Sequence, residues 1–359
     1  MRLLSLNLED FRNVTRASLT FSSDRIFFLG SNGQGKTNLL EAIGLAGTLR
    51  SFRKSGMDGL VREGQQLSQG YYRFLDDDGN EREVFISFRF KGEKQVEVDG
   101  EKIKKLGEYL GNFPSVTLSS RDFRLIREGP SDRRKWLDLL LSSSSNAYLN
   151  HLQEYTRCLR ERNVLLKRDA SDGELLAFEQ SLATNAIKLY SLRCEAIPKV
   201  SKILRDSYLS LTADEEVADL AYAPDLSIES EEKYLKKLAE ERDRDRILGS
   251  TRRGPHRDDF LFRLLERDAR VFASEGQQRG LVLSLRLAEF AFLREAVGRI
   301  PLILADDVLG ELDNLRKANF RKLLPAEAQV FATGTSYPSK SESAIWETFE
   351  VLAGNFNRI

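Results

Sequence analysis

The sequence predicts an α/β fold into which a helical segment is inserted. Two apolar runs, 25-RIFFLG-30 and 301-PLILADDV-308, have the composition of strands that are buried on both faces of a sheet. A glycine-rich turn and an amphipathic helix, 37-TNLLEAIGLAGTLR-50, follow the first run, as in a β-α unit. From about residue 120 to 250, by contrast, strand signals are sparse and apolar residues recur at helical spacing.

The inserted segment carries heptad spacing on two runs. Residues step by three and four from Leu149 to Leu166 and again from Leu175 to Ala196. Because the polar connector 167-KRDASDG-173 is short, we expect an antiparallel helical hairpin, with two ordinary amphipathic helices in a bundle as the alternative. A further charged helix is expected at about 229–247. The predicted domains are a head of residues 1–117 and 251–359 and a helical arm of residues 118–250 that holds the hairpin and the further helix.

Shorter strands are expected on both sides of the arm. Their signal is the alternation of apolar and polar residues, interrupted by Asp-Gly turns. The expected features are a first strand with Leu4, Leu6 and Leu8 on one face, hairpin turns at Asp78-Gly79 and Asp99-Gly100, a strand through Phe260, Phe262 and Leu264, a turn near Arg267-Asp268, a strand at Val271-Phe272, and a last strand from Val330 to Ala332.

Composition limits the class of protein. The 359 residues are 41% hydrophobic and 31% charged, as in a globular protein, and 55 basic residues balance 55 acidic ones. This balance excludes a surface coated in positive charge but leaves room for a local basic patch. Cys158 and Cys194 form neither a disulfide framework nor a metal-ligand spacing, which suits a reducing compartment. Glu9 and Asp10 interrupt any signal-peptide core, and no apolar run reaches membrane-spanning length, so we expect a cytoplasmic protein without a membrane partner.

The segment 30-GSNGQGKT-37 fits the phosphate-loop pattern G-x-x-x-x-G-K-[ST] between a strand and a helix, the context that the motif requires. Its glycines allow backbone N–H groups to surround phosphate oxygens at a helix N-terminus. Lys36 would neutralise the β- and γ-phosphates, and Thr37 would offer its hydroxyl to Mg²⁺. A glycine-rich turn with an incidental Lys-Thr pair is the alternative. The predicted cofactors are ATP and Mg²⁺, and the candidate nucleotide-binding residues are Gly30, Ser31, Asn32, Gly33, Gln34, Gly35, Lys36 and Thr37.

A second signal is the apolar run 302-LILADDV-308, which ends in two carboxylates. An acid at the end of such a strand holds the metal beside a phosphate loop, so Asp306 is the predicted Mg²⁺ partner together with Thr37. Asp307 is the candidate catalytic residue, with Lys36, because it would orient or activate the attacking water. The alternative is a solvated strand end whose carboxylates bind nothing.

The third signal is 273-ASEGQQRGLVLSLRLAEF-290, a helix that begins with a capping-box spacing from Ser274 to Gln277. Gly276 costs up to about 1 kcal/mol against alanine in its first turn. A polar, glycine-bearing helix start before an Asp-Asp strand is the order found in ABC-type ATPases, where this start contacts the γ-phosphate of ATP bound by a second copy. Ser274, Gly276 and Gln277 are therefore predicted to act in trans, with a helix cap and packing glycines as the alternative. Asp313, in 310-GELD-313, fits the loop that crosses such a dimer interface.

The fold class that follows is α/β: an ABC-type P-loop ATPase head with an inserted α-helical arm domain. The segment of chain between Thr37 and Ser274 is long enough to include a short helical arm. It is too short for the very long coiled coils of SMC or Rad50 proteins.

Six blocks of the sequence point to one family: FRN at 11–13, GSNGQGKT at 30–37, GPSDRRKWLD at 129–138, GPHRDD at 254–259, FASEGQQRGLVLSLRLAE at 272–289 and DDVLGELD at 306–313. Through these blocks the whole chain resembles the RecF family of bacterial recombination and repair ATPases, which are related to the heads of SMC and Rad50 proteins. The blocks most specific to that family are GPSDRRKWLD and GPHRDD.

The resemblance implies further properties. Arg12 and Asn13 would join the nucleotide site. ATP would drive two copies into a homodimer, with a monomer in its absence, on double-stranded DNA or at junctions with single-stranded gaps. With RecR and RecO the dimer would help to load RecA, and slow, DNA-stimulated ATP hydrolysis would release it. A structural DNA tether of the SMC or Rad50 kind and an ABC-type transport ATPase are the alternative functions, and GPHRDD and GPSDRRKWLD speak against the transporter.

Several positions differ from the residues usual in ABC ATPases or in the RecF family. Asp307 stands where ABC ATPases usually carry Glu, and its shorter side chain predicts slow hydrolysis. No histidine has the spacing of the usual switch histidine, for which Thr333 or Thr335 would be a weak substitute. Ser120 and Arg121 replace an expected Pro-Glu pair before Asp122, and Gly310 replaces a common Ser or Ala.

Candidate DNA contacts form two basic groups, since phosphate binding is carried by Lys and Arg. The alternative for any single residue is that it carries solvated surface charge. For Arg133 and Arg134, two further alternatives are a capping role and an ion pair with acids of the head. The candidates are Lys102, Lys104, Lys105, Arg121, Arg124 and Arg127, with Arg133, Arg134 and Lys135 beside them.

Overall fold

The structure of this chain is a computed structural model that describes residues 1–53, 56–212, 216–308, 314–336 and 346–359. Its described residues form strands and helices in the following order. The strands are β1 (Arg2–Phe11), β2 (Val14–Thr20), β3 (Arg25–Leu29), β4 (Leu67–Leu75), β5 (Glu81–Arg89), β6 (Lys94–Val98), β7 (Glu101–Lys102), β8 (Ser115–Ser119), β9 (Ala218–Ala223), β10 (Asp259–Leu264), β11 (Arg267–Asp268), β12 (Leu302–Asp306), β13 (Val330–Gly334), β14 (Glu347–Leu352) and β15 (Asn355–Arg358). The helices are α1 (Lys36–Thr48), α2 (Arg124–Arg127), α3 (Pro130–Ser144), α4 (Asn146–Lys167), α5 (Asp172–Thr212), α6 (Glu231–Glu240), α7 (Arg242–Leu248), α8 (Ala269–Phe272), α9 (Glu275–Val297) and α10 (Asn314–Leu323).

The chain divides into two compact units. The first comprises Met1–Asp122, Ser210–Ala213 and Val282–Ile359, and the second comprises Phe123–Leu209 and Asp214–Leu281. The division places residues 251–281 in the second unit, whereas the sequence analysis assigned them to the head. The predicted functional boundaries at residues 118 and 250 stay predictions.

The core sheet of the first unit has the order β15-β14-β3-β13-β12-β8. Its strands pair in parallel, apart from the antiparallel hairpin of β14 and β15 at one edge. Since β3, β13 and β12 run side by side in parallel, the residues that follow them meet at one edge of the sheet. The α/β prediction is confirmed for the described residues. The apolar pattern predicts a last strand from Val330 to Ala332, which is β13, and does not predict β14 and β15.

A second sheet of the first unit is antiparallel, in the order β2-β1-β4-β5-β6-β7. Helix α1 packs between the two sheets in a core that includes Leu6, Ile86, Phe28 and Ile43. Two buried tyrosines, Tyr72 of β4 and Tyr109 in the segment after β7, donate their hydroxyls to the carbonyls of Ala42 and Ala46. These hydrogen bonds satisfy the polar ends of both rings and fix α1 against the sheet.

The first strand differs from its prediction in one respect. The buried leucines are Leu3, Leu6 and Leu8, and Leu4 lies outside this face. The pairing of β1 with β4 shifts register between Leu3 and Ser5. A bulge of this kind changes the face to which the preceding residue points, which simple alternation does not anticipate. The hairpin turns at Asp78-Gly79 and Asp99-Gly100 are confirmed.

The second unit contains the predicted antiparallel helical hairpin, formed by α4 and α5. Contacts between the helices run in opposite directions along the chain, as His151 to Asn185 and Glu154 to Ser181 illustrate. The second helix is longer than predicted, since it continues through Pro198 to Thr212. The predicted charged helix is present as two pieces, α6 and α7, which meet at Glu241.

A small antiparallel sheet, in the order β11-β10-β9, completes the second unit. The strand expected at Phe260, Phe262 and Leu264 is confirmed as β10, and β9 lies in a region where strand signals were sparse. The strand expected at Val271-Phe272 is wrong, because these residues form the short helix α8. Asp268 caps that helix by accepting from the backbone N–H of Arg270. An aspartate at this position is a helix start signal, but the β-branched Val271 and the aromatic Phe272 favour a strand by composition.

Among the described helices, none combines the length and the apolar character needed to cross a lipid bilayer.

Candidate nucleotide site

The loop 30–37 joins β3 to α1 at the carboxyl edge of the core sheet. Gly33 and Gly35 have φ of +82° and +116°, values that side-chain-bearing residues rarely adopt, so glycine gives the loop its shape. A Cβ at Gly33 would meet no heavy atom of the described residues within 4 Å, which leaves the outer side of the loop open to a ligand. The loop therefore has the open, glycine-lined form that a phosphate requires.

Lys36 is 6% exposed and its ammonium group folds back over the loop. It donates to the carbonyls of Gly30 and Ser31, the latter at 2.9 Å. Burial lowers the pKa of Lys36, while the nearby carboxylates of Asp307 and Asp306 oppose that shift. A cation held in this way lies inside the loop, where it can turn from carbonyl oxygens to phosphate oxygens.

Asp306 ends β12 beside the loop and receives two hydroxyl groups. Thr37 Oγ1 donates to its Oδ1 at 2.8 Å, and Thr333 Oγ1 donates to the same atom at 3.1 Å. Burial raises the pKa of Asp306, and these two hydrogen bonds oppose the shift. One carboxylate and one hydroxyl fit the small number of protein ligands that Mg²⁺ takes beside phosphates and water. Among the described residues there is no cluster of three or more carboxylate, histidine or cysteine ligands.

Asp307 follows in the left-handed region, with φ of +56°. Its backbone N–H donates to Thr333 Oγ1 at 2.9 Å, so Thr333 contacts both aspartates. A non-glycine residue with positive φ at the end of a strand is typical of functional sites, where strain is retained for position. Of the two threonines named in the sequence analysis, Thr333 is the one with contacts in the site, and Thr335 is exposed.

Arg12 and Asn13 both lie beside the loop. Arg12 forms two parallel hydrogen bonds with the buried carboxylate of Glu41 on α1, at 2.9 and 2.6 Å. Asn13 donates to Gln34 O at 3.4 Å and accepts from Asn38 Nδ2 at 2.6 Å. Asn13 thus contacts Gln34 of the loop and Arg12 is engaged with Glu41, while the role of both residues at a nucleotide site stays a prediction.

The residues predicted to act in trans lie at the start of α9. The capping box is present: Ser274 N–H donates to Gln277 Oε1 at 2.7 Å, and Gln277 N–H donates to Ser274 Oγ at 3.3 Å. Gln277 Nε2 also donates to Glu216 Oε1 at 2.6 Å, and Gly276 is half-buried. Asp313 and Gly310 lie outside the described residues.

The candidate DNA residues differ in their surroundings. Lys102, Lys104 and Lys105 are exposed. Each of the three arginines has a partner within its own unit: Arg121 donates to Arg53 O, Arg124 pairs with Glu128, and Arg127 donates to Gln278 Oε1 at 2.7 Å.

Comparison with known proteins places these features in one family. The sequence matches the RecF/RecN/SMC N terminal domain family over residues 2–343. The DNA replication and repair protein RecF of Leptospira biflexa serovar Patoc is 34% identical over 346 residues, which cover 95% of this chain and 93% of the relative. The protein of the same name from Acaryochloris marina is 32% identical and covers 93% of each chain. This chain belongs to the RecF family.

Solved structures support the same conclusion. A structure of the recombination mediator protein RecF with ATP, in the RecFOR pathway, has a TM-score of 0.91 and 31% identity, and it covers 99% of this chain and 97% of that one. The Smc head domain of Pyrococcus furiosus, bound to the C-terminal domain of ScpA, has a TM-score of 0.57 at 14% identity and shows the fold alone. The predicted α/β fold of an ABC-type ATPase head related to SMC heads, and the resemblance to RecF, are thereby confirmed.

In this RecF-family chain, the block GPHRDD at residues 254–259 accepts hydrogen bonds from arginines of the second unit. Arg193 of α5 donates to Pro255 O at 2.9 Å and to Asp258 Oδ2 at 2.6 Å. Arg133 donates from Nε and Nη2 to the two carboxylate oxygens of Asp259, at 2.7 and 2.9 Å. Intramolecular pairing, the alternative raised for Arg133, therefore describes its contacts.

Two parts of the site are not predicted from the sequence. One is Glu41, a buried acid on a helix that otherwise looks apolar. The other is the turn between β14 and β15, where Ala353 and Gly354 contact Gln34. Neither has a motif, since Ala353-Gly354 is not one of the Asn-Gly or Asp-Gly pairs that mark a two-residue hairpin turn.

Proposed function

We propose that this chain is an ATP-dependent DNA-binding protein of recombinational repair, in which ATP binds at residues 30–37. The observation that carries the proposal is the meeting of Lys36, Thr37 and Asp306 around one glycine-lined loop. The ATP-bound RecF structure, at 31% identity over nearly the whole chain, supports the same ligand. In this role the backbone N–H groups of the loop and Lys36 hold the phosphates.

Thr37 and Asp306 would hold Mg²⁺ with their hydroxyl and carboxylate oxygens. Bound there, the ion would neutralise the negative charge that develops in phosphoryl transfer. Asp307 would orient the attacking water as a weak ATPase requires. Its side chain is one methylene shorter than Glu, and no histidine follows β13, so we expect slow turnover.

The start of α9 would complete the ATP site of a second copy. Ser274 Oγ and the N–H groups of the first helical turn would face the γ-phosphate, and Gly276 would allow the close approach. The chain would then be a monomer without ATP and a homodimer with it. Asp313 is proposed for the same interface from its place in the sequence.

The dimer would bind double-stranded DNA beside single-strand gaps, and hydrolysis, stimulated by DNA, would release it. RecR, RecO and RecA are the proposed partners, because the similar RecF structures belong to the RecFOR pathway. The exposed Lys102, Lys104 and Lys105 are the better supported DNA contacts, since each of the candidate arginines already has an intramolecular partner. We place this activity in the cytoplasm.

Sedimentation with and without ATP tests the proposal. The parent chain should form dimers with ATP, whereas the Lys36→Arg and Ser274→Arg variants should stay monomeric, the first from poor ATP binding and the second from a blocked interface. If both variants dimerise like the parent, ATP is not held between two copies. Gel shifts on gapped duplex across a salt series, with and without ATP, then test the DNA step.

A further inference from the structure

The turn that joins β14 to β15 lies against the phosphate loop. Ala353 N–H donates to Gln34 Oε1 at 2.7 Å, and Gly354 N–H donates to Gln34 O at 2.8 Å. Two consecutive backbone donors therefore hold the side chain and the main-chain carbonyl of one loop residue. Because backbone donors have fixed directions, this contact defines where Gln34 lies more strictly than a flexible side chain would.

Close backbone packing accompanies these hydrogen bonds. A Cβ on Gly354 would lie 2.6 Å from Asn13 O, and a Cβ on Gly30 would lie 2.5 Å from Val351 O. Both distances are shorter than any side chain tolerates. The hairpin thus touches the phosphate loop at its first glycine and at Gln34, and it touches the neighbouring Asn13 as well.

The turn that makes these contacts has a backbone conformation that is unfavourable for alanine. Ala353 and Gly354 have φ of +48° and +78°, the left-handed pair of a two-residue hairpin turn whose first position usually holds Asn, Asp or Gly. Alanine is disfavoured there. Retained strain beside a candidate site indicates that the direction of the Ala353 N–H matters.

We propose that the Ala353–Gly354 turn positions the nucleotide site by holding Gln34, so that the backbone N–H groups of the phosphate loop are arranged before a nucleotide arrives. The inference rests on the proposed function, in which residues 30–37 bind ATP. A loop ordered in advance binds more tightly, because less conformational freedom is lost on binding. Because the turn contacts the loop through Gln34, its effect on a bound nucleotide would be indirect.

Gly354→Ala tests the proposal, and Gly79→Ala is its matched control. Gly79 lies in the turn between β4 and β5 with φ of +85°, and a Cβ there would meet no described atom within 4 Å. Both variants carry a similar backbone strain, but only Gly354→Ala pushes the turn away from Asn13 and Gln34. The affinity for a fluorescent ADP analogue and for ATP is measured by titration, and the melting temperature is measured without nucleotide.

We expect Gly354→Ala to bind both nucleotides about tenfold more weakly than the parent, and Gly79→Ala to bind them like the parent. Gln34→Ala removes the acceptor of the Ala353 N–H and leaves the sequence of the hairpin unchanged. It should also weaken nucleotide binding, and it provides a second test if Gly354→Ala does not fold. Equal nucleotide affinity in Gly354→Ala, Gln34→Ala and the parent, with only a lower melting temperature, would overturn the inference. A parent chain that binds no nucleotide would instead overturn the proposed function.

Discussion

Thr37 donates its hydroxyl to Asp306 Oδ1 at 2.8 Å, which joins the start of α1 to the end of β12. Thr333, at the end of β13, donates to the same oxygen at 3.1 Å and accepts the N–H of Asp307 at 2.9 Å. Thr333 therefore links the predicted metal partner to the predicted water-orienting residue, although it is 1% exposed and contacts solvent hardly at all.

The first prediction concerns Thr333→Val, which keeps the shape of the side chain and removes its hydroxyl. Without that hydroxyl, Asp307 loses the acceptor of its N–H and with it the position of its carboxylate. Since a small misplacement of a reacting group lowers rate more than binding, we expect ATP turnover to fall about tenfold and ADP affinity to change less than about twofold. Steady-state ATPase assays and nucleotide titration measure the two effects.

Thr333→Ser is the matched control, because it keeps the hydroxyl and should hydrolyse ATP at nearly the parent rate. Parent-like turnover in Thr333→Val would show that the contact with Asp307 is dispensable.

The second prediction concerns Glu216, whose carboxylate accepts from Gln277 Nε2 at 2.6 Å and from Tyr208 Oη at 3.1 Å. In the proposed dimer a partner's γ-phosphate approaches Ser274 and Gln277, so this carboxylate opposes it by like-charge repulsion. We expect Glu216→Gln to lower the protein concentration needed for ATP-dependent dimerisation by about fivefold, most clearly at low salt. Sedimentation across a concentration series measures it.

Glu232→Gln, an exposed acid on α6, makes the same charge change and should leave dimerisation as in the parent. If Glu216→Gln dimerises more weakly, the role of Glu216 is to order Gln277 for the partner, and the repulsion argument is wrong.

Local sequence was informative wherever a residue's role depends on its neighbours in the chain. The glycines of 30–37 and the capping box of Ser274 and Gln277 were predicted because a turn or a helix start needs only a few consecutive residues. The heptad runs predicted the helical hairpin for the same reason.

Contacts between distant segments were not predictable in this way. Thr333 joins Asp306 only because β12 and β13 are neighbours in the sheet, and Gln34 meets Gly354 across about 320 residues. The bulge at Leu3 and the buried pairing of Arg162 likewise depend on partners that periodicity does not specify.

The third prediction concerns Arg162, a fully buried arginine on α4. It pairs with Glu179 at 2.9 Å and with Asp245 at 2.7 Å, and both carboxylates are buried as well. Arg162→Ala leaves Glu179 with Arg242 and removes the guanidinium partner of the buried Asp245, so we expect the free energy of unfolding to fall by about 3–5 kcal/mol. Urea denaturation followed by circular dichroism measures the change.

Arg157→Ala is the control on the same helix. Arg157 pairs with Glu154 at the surface, where an ion pair contributes at most about 1 kcal/mol. Equal losses in the two variants would contradict the argument from burial.

The fourth prediction concerns pH and His256, the histidine of GPHRDD. Its Nε2 lies 3.0 Å from Thr251 O, a carbonyl that can only accept, so Nε2 carries the hydrogen and Nδ1 accepts from Tyr155 Oη at 2.7 Å. Burial lowers the pKa of His256 to about 4. Protonation would give the ring its second N–H at Nδ1, the atom that now accepts from Tyr155.

Because the folded pKa lies below the unfolded value of about 6.5, the unfolded chain binds the extra proton first as pH falls. The stability associated with neutral His256 is present above pH 6.5 and is lost as pH falls towards 4. Between pH 7.5 and pH 5 this single group should lower the free energy of unfolding by about 2 kcal/mol. His256→Gln, neutral at every pH, should lose that part of the pH dependence, whatever its own stability at pH 7.5. Urea titrations of both chains at the two pH values decide the matter: an equal fall in parent and variant would mean that other groups carry the pH dependence.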